Sequence, residues 1–137
     1  MVKGFVGDIV DMTHENEDFR HVVYTGKHLQ LVLMTLKAGE EIGSEVHATH
    51  DQFFRVEKGK GEVWIDGVCT NVKRDDAIVV PAGARHNIVN RGENPLRLYT
   101  VYGPPQHLAG TVQATRADAL ASTEHFDGTT SELADQV

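Results

Sequence analysis

The sequence predicts an all-β fold, a sandwich or barrel of antiparallel strands, on three observations. The apolar segments are short and rich in β-branched and aromatic residues. Turn residues separate them roughly every ten positions from Val6 to Tyr102. A single stretch, near the C-terminal end, has the pattern of a helix. At 137 residues one domain is expected, long enough to bury a core without cross-links.

In chain order, "HVVYTG" is a strand that ends in a glycine turn, and "HLQLVLMTL" is a second strand, closed by "KAGEE". "QFFRVEKGKGEVWIDG" reads as two strands around a glycine-containing hairpin loop, "EKGKG". "AIVVPAGARHNIV" is strand, Pro-Ala-Gly turn and strand, and "LRLYTVYGPP" is a strand stopped by two prolines. The helix is "TRADALAST", with Thr115 as its N-cap. The polar, glycine-containing "EHFDGTTSELADQV" is expected to be a loose tail. The barrel domain, with its N-terminal strands, is therefore assigned to residues 1–114, and the short helix and polar tail to residues 115–137.

The formal net charge of -7 argues against general electrostatic binding to nucleic acid, which needs a basic face. It suits a protein with a small-molecule partner. No stretch approaches the roughly 20 apolar residues of a membrane span, and "MVKGFVGDIV" lacks the apolar run of a signal peptide. The single cysteine, Cys69, fits a reducing compartment and is read as a small, buried or half-buried apolar residue. Together these give a cytoplasmic expectation.

The chemistry concentrates in "EVHATHDQ", residues 45–52. Glu45 and His47 are two apart, so on a strand they share a face. In the strand that follows, Arg55 and Glu57 are the solvent-seeking set, which leaves Gln52, Phe54 and Val56 facing inward. By the same alternation His86 shares a face with Ile88. Two imidazoles and two oxygen donors are thus able to converge inside a barrel.

Here the sequence resembles the cupin superfamily. "GEEIGSEVHATHDQFFRVEKG" looks like its first motif, with Gly39 and Gly59 at the two ends, Glu45 in the place of the first histidine, His47 in that of the second, and Gln52 in that of the glutamate. "DDAIVVPAGARHNIVN" looks like the second motif at Pro81, Gly83, His86 and Asn90, with Asp75 replacing the first glycine. The resemblance covers roughly residues 30 to 103. It implies a double-stranded β-helix, or jelly-roll barrel, of the small single-domain kind grouped as sugar-phosphate-isomerase-like. It also implies a metal held by Glu45, His47, Gln52 and His86. The exchanges at Glu45 and Gln52 keep one carboxylate and two imidazoles, and the cupin-type phosphomannose isomerases are similar in placing Gln, His, Glu and His on zinc. Such a set suits Zn, Mn, Fe or Ni, and Glu45, His47 and His86 alone match the two-His-one-carboxylate triad of non-haem iron oxygenases.

Three residues are weaker candidates for the chemistry itself. Tyr102 shares parity with Leu96, Leu98 and Thr100 and should point inward, as a hydrogen-bond donor or a core tyrosine. His50 lies in the interruption between strands, at the wrong parity to ligate beside His47, and is read as a rim residue. His107 follows the last strand, either capping the mouth or lying on the surface. Phe53 and Val101 should face outward, as in a homodimer interface. Three functions fit: a metal-dependent isomerase, epimerase or lyase acting on a small oxygenated or sugar-like substrate; a metal-dependent dioxygenase; or a non-catalytic binding or sensor domain.

Overall fold

A computed structural model describes residues 3–134. Its strands are β1 (Arg20–Thr25), β2 (Gln30–Leu36), β3 (Glu45–Val46), β4 (Asp51–Lys58), β5 (Lys60–Ile65), β6 (Val68–Lys73), β7 (Ala77–Val80), β8 (Arg85–Val89), β9 (Leu96–Gly103) and β10 (Val112–Gln113). They form a six-stranded sheet ordered β10-β1-β2-β9-β4-β7 and a four-stranded sheet ordered β3-β8-β5-β6, with antiparallel neighbours throughout. The all-β expectation holds.

Alternation builds the interior. Along β2 the inward positions are Gln30, Val32, Met34 and Leu36, and along β9 they are Leu96, Leu98, Thr100 and Tyr102; all eight are buried. Phe54, Val56, Val63, Ile78 and Ile88 close the core from the remaining strands. The inward-facing positions of Tyr102 and Gln52 follow the expected parity.

Three features depart from the sequence reading. The first is a helix, α1 (Ile9–Glu15), where strand and turn were expected. Asp8 caps it by accepting the Asp11 amide, and it packs against β2, β9 and β4. It thereby covers part of the outer face of the six-stranded sheet, which is why Leu33, opposite in parity to Val32, is buried. The second concerns "EKGKG", which is not a hairpin loop. β4 pairs with β7 and β9, whereas β5 pairs with β6 and β8, so the chain changes sheets at Gly59. A Cβ on Gly59 would lie 2.7 Å from the Pro95 carbonyl oxygen, and its φ is +93°, so this corner requires glycine twice over. The hairpin lies at β5–β6 instead, on Asp66-Gly67, both with positive φ. The third is the C-terminal stretch. The Phe126 amide bonds the Gln106 carbonyl, the Ser131 hydroxyl accepts the Thr25 amide, and Ser131–Ala134 is a helical turn, α3. Residues 135–137 of the expected loose tail lie outside the described residues.

The helix at "TRADAL" is present as α2 (Arg116–Ala121), with Thr115 and Asp118 forming a capping box. Cys69, expected to be at least half-buried, is exposed, because β6 is an edge strand and its side chain falls on the outer face.

Candidate metal centre

β3 places Glu45 directly across from His86 on β8. His47 follows the end of β3, where its carbonyl accepts the Gly83 amide at 2.9 Å. The Pro81–Gly83 turn thus fixes the backbone of His47 as well as the entry of β8. The result is a tight cluster: one ligand atom each from Glu45, His47 and His86 lies within 4.8 Å of the others. His47 Nε2 is 3.0 Å from Glu45 Oε2, and His86 Nε2 is 4.0 Å from the same oxygen. The His86 side chain is 1% exposed and that of Glu45 31%, so solvent reaches the cluster along the carboxylate.

The donors suit a cation. His86 Nδ1 donates to the Ala84 carbonyl at 3.3 Å, which orients the ring and leaves Nε2 as a lone pair. That Nε2 is buried with no hydrogen-bond partner. Burial pushes the His86 imidazole below its ordinary range, overriding the Ala84 carbonyl and the Glu45 charge, and so favours the neutral form that ligates. Burial pulls the Glu45 carboxyl upward, but the His47 hydrogen bond and the charges of His47, Arg20 and His86 outweigh it, and the net shift is downward. Gln52 uses its amide nitrogen on Thr100 Oγ1 at 3.0 Å, while its Oε1 is buried and unpaired. Unsatisfied buried acceptors are uncommon, and a coordinated ion is one of their remedies.

The three weaker candidates separate. Tyr102 and His107 come together, with Tyr102 OH 3.2 Å from His107 Nε2 and the rings edge-on at 5.2 Å. His107 is buried and continues to Glu124, whose Oε1 is 2.6 Å from Nδ1. The surface alternative for His107 is therefore wrong: Gln30 holds its backbone from below, accepting the Gln106 and His107 amides and donating to the His107 carbonyl. Burial keeps His107 below the ordinary imidazole range despite Glu124, and raises the Tyr102 hydroxyl above its ordinary value. Glu124 is held below the usual carboxylate range: burial raises it, but the His107 hydrogen bond and the Leu108 amide more than offset this. His50 sits at the rim. Its Nε2 donates to the Pro105 carbonyl at 3.0 Å, and its ring centroid is 5.9 Å from that of His47.

Two interior residues escaped the sequence reading. Glu124 lies in a polar stretch with no periodic signal. Arg20 had a signal, a charge on the apolar face of a strand beside Val22. A surface cleft of about 540 Å³, lined by Lys60, Lys73 and Arg91 among others, lies away from the cluster, while one of about 330 Å³ reaches His86 beside Trp64 and Asn87. Orphaned donor atoms rather than cleft size mark the Glu45 cluster as the site.

A two-sheet antiparallel barrel with an inward His-Glu cluster able to hold an ion, on β3 and β8, defines the class of small jelly-roll barrels. Residues 32–102 match the cupin domain family, and the chain belongs to it. Asp75, where the family resemblance asks for glycine, has φ +76°, which explains the preference. The chain is 47% identical over 128 residues to the Bacillus subtilis protein YrkC, spanning 89% of this chain and 69% of that one. It superposes on the crystal structure of BH2720 from Bacillus halodurans with a TM-score of 0.86 at 45% identity, covering 88% of this chain and 96% of the other. KdgF from Halomonas is more distant, with a TM-score of 0.59 and 26% identity over 62% of this chain and 76% of its own.

Proposed function

We propose that this cupin is a metal-dependent enzyme of the isomerase, epimerase or lyase type, acting on a small oxygenated or sugar-like substrate. The observation that carries this is the convergence of Glu45, His47 and His86, supported by the buried, unpaired Oε1 of Gln52. Those four would hold a divalent Zn, Mn, Fe or Ni ion, which when bound supplies Lewis-acid polarisation of a carbonyl or hydroxyl. The chain supplies the proton handling. Glu124 accepts from His107 Nδ1, which leaves His107 Nε2 as the acceptor for the Tyr102 hydroxyl. Tyr102, whose ring lies 5.8 Å from that of His47, would thus take a proton from the substrate on its oxygen while passing its own to His107 Nε2, with Glu124 balancing the imidazolium, and the reverse transfer would return the proton. His50, its Nε2 proton engaged by Pro105, is less suited to serve as the base.

Elemental analysis of protein purified without an affinity tag tests the metal. About one equivalent of a transition metal is expected, and less than a tenth of an equivalent under metal-replete expression overturns it. Proton exchange into sugar phosphates in deuterated water tests the reaction type. The two-His-one-carboxylate set favours a second reading, an iron-dependent dioxygenase, which oxygen uptake with diketones or phenols separates from the first. A metal with neither activity leaves a binding or sensor domain.

The chain is further inferred to be a cytoplasmic homodimer. Val79, cross-strand from Phe53 and 66% exposed, extends the outward row of Phe53 and Val101 beyond the cover of α1. Light scattering at tens of micromolar checks this, and a clean monomer mass sinks it. Among the described residues no helix is long and apolar enough to cross a membrane.

A further inference from the structure

Arg20 is an interior cation without a carboxylate partner. It lies on β1 opposite Met34, on the same face as Val22, and is 5% exposed. Its Nη1 donates to Gln113 Oε1 at 2.6 Å, a neutral acceptor on the neighbouring strand β10. Its Nε is buried with no partner, and none of the ion pairs among the described residues includes it. The nearby Phe19 ring, 5.3 Å from the guanidinium carbon, is a weak substitute for a counter-ion. A buried, unpaired charge is costly, and proteins seldom retain one that nothing compensates.

Arg20 lies on the inward face of β1, the face that Met34 and Leu98 continue across β2 and β9 and that Tyr102 shares, and its positive charge helps hold the Glu45 and Glu124 carboxyls low. A divalent ion held by one carboxylate and neutral donors leaves a net positive charge, Arg20 adds a second, and Glu124 offsets one of them. We propose, resting on the metal reading above, that the barrel takes substrates with two oxygen functions. One is a hydroxyl, carbonyl or carboxylate directed at the Glu45–His47–His86 cluster, and the other a carboxylate or phosphate whose anionic oxygens are received by the Arg20 guanidinium. Gln113 orients that guanidinium so that Nε stays free. A planar donor fork is suited to a two-oxygen anion in a way that an ammonium is not.

The test is calorimetric titration of the full-length, zinc-loaded protein with malonate, succinate and glutarate, each against acetate, propionate or butyrate. The length series varies the spacing between the two anionic ends. At least one dicarboxylate is expected to bind about tenfold or more tighter than its monocarboxylate counterpart, on the scale of one charge-assisted hydrogen bond. Arg20→Gln should bring that ratio near one while zinc content stays unchanged, and Arg20→Lys should fall between. A wild type with no such preference, or an Arg20→Gln protein that keeps it through chelation by the metal alone, overturns the proposal. Should Arg20→Gln fail to fold by circular dichroism, the wild-type ratio and Arg20→Lys decide. Should the wild type take up no zinc, the metal reading fails separately. Acetate binding to the metal-free chain then decides for Arg20 if Arg20→Gln abolishes it, and against Arg20 if it is unchanged.

Discussion

The two ends of the barrel are built from the same strands and differ in every inward residue. At one end Leu36 pairs with Leu96, with Val56 and Ile88 close by in the same core. At the other, Gln30 and Gln52 flank Tyr102 in register, with His86 on the facing sheet. The alternation that buries aliphatic groups at the first end buries hydrogen-bonding groups at the second. The apolar end stabilises by removing surface from water, whereas the polar end costs stability wherever a partner is missing. There Gln30 is fully satisfied, while Gln52 Oε1 and His86 Nε2 are not. The fold is held by one end, and two candidate ligand atoms lie unpaired at the other.

The largest expected effect breaks the apolar end. Leu98→Ala should cost about 2–5 kcal/mol in chemical denaturation, as a buried leucine deletion does, with metal affinity unchanged in the folded fraction. A loss under 1 kcal/mol would show that this end does not carry the fold. His86→Ala is the converse. It should lower metal affinity by at least about 10–100-fold, since removing partners that merely orient ligands already does so, with a much smaller loss of metal-free stability. Full metal retention in His86→Ala would discard the ligand assignment.

Acidity should distinguish the ends next. His107 is depressed in the fold, so the unfolded chain takes up its proton first; Glu124 is also depressed and acts in the same direction. Their contributions are present at neutral pH. The share from His107 declines as pH falls through its ordinary value of 6.5, and that from Glu124 declines lower, through the carboxylate range. Wild type and Leu98→Ala should lose stability in parallel between pH 8 and 5, while His107→Gln should lose less, as read from denaturation midpoints. Metal should leave over the same range as its ligands protonate. The smallest effect is expected for His50→Ala, near-wild-type metal content by elemental analysis, because its ring is committed to the Pro105 carbonyl. Loss of metal there would make His47 and His50 the ligating pair.

Much of this was legible in the sequence where alternation or motif spacing governs. Gln52, His86 and Tyr102 point inward because strand parity leaves no other choice, and the glycine and proline positions of "PAGARHN" set the β8 entry. Legibility stopped where a contact depends on tertiary path. "EKGKG" looks like a hairpin locally, and only the packing of Gly59 against Pro95 makes it a corner. α1 is short, and its reason is the sheet face beneath it rather than a strong helical period. His107 depends on Gln30 and Glu124, 77 and 17 positions away, which no local pattern announces.

The pairing of β1 with β10 also bears on the order in which the chain emerges during synthesis. Arg20 is made early, and its acceptor Gln113 lies 93 residues later; Glu124 comes later still. The Glu45–His47–His86 cluster is complete once β8 has emerged and paired. The guanidinium and the Tyr102–His107 pair must wait for residues beyond the span that matches the family. A nascent chain stalled after β9 would carry all the candidate ligands but neither the Gln113 acceptor of Arg20 nor the carboxylate that bonds His107. The stretch after β9 is therefore the one that supplies the hydrogen-bond partners of Arg20 and His107.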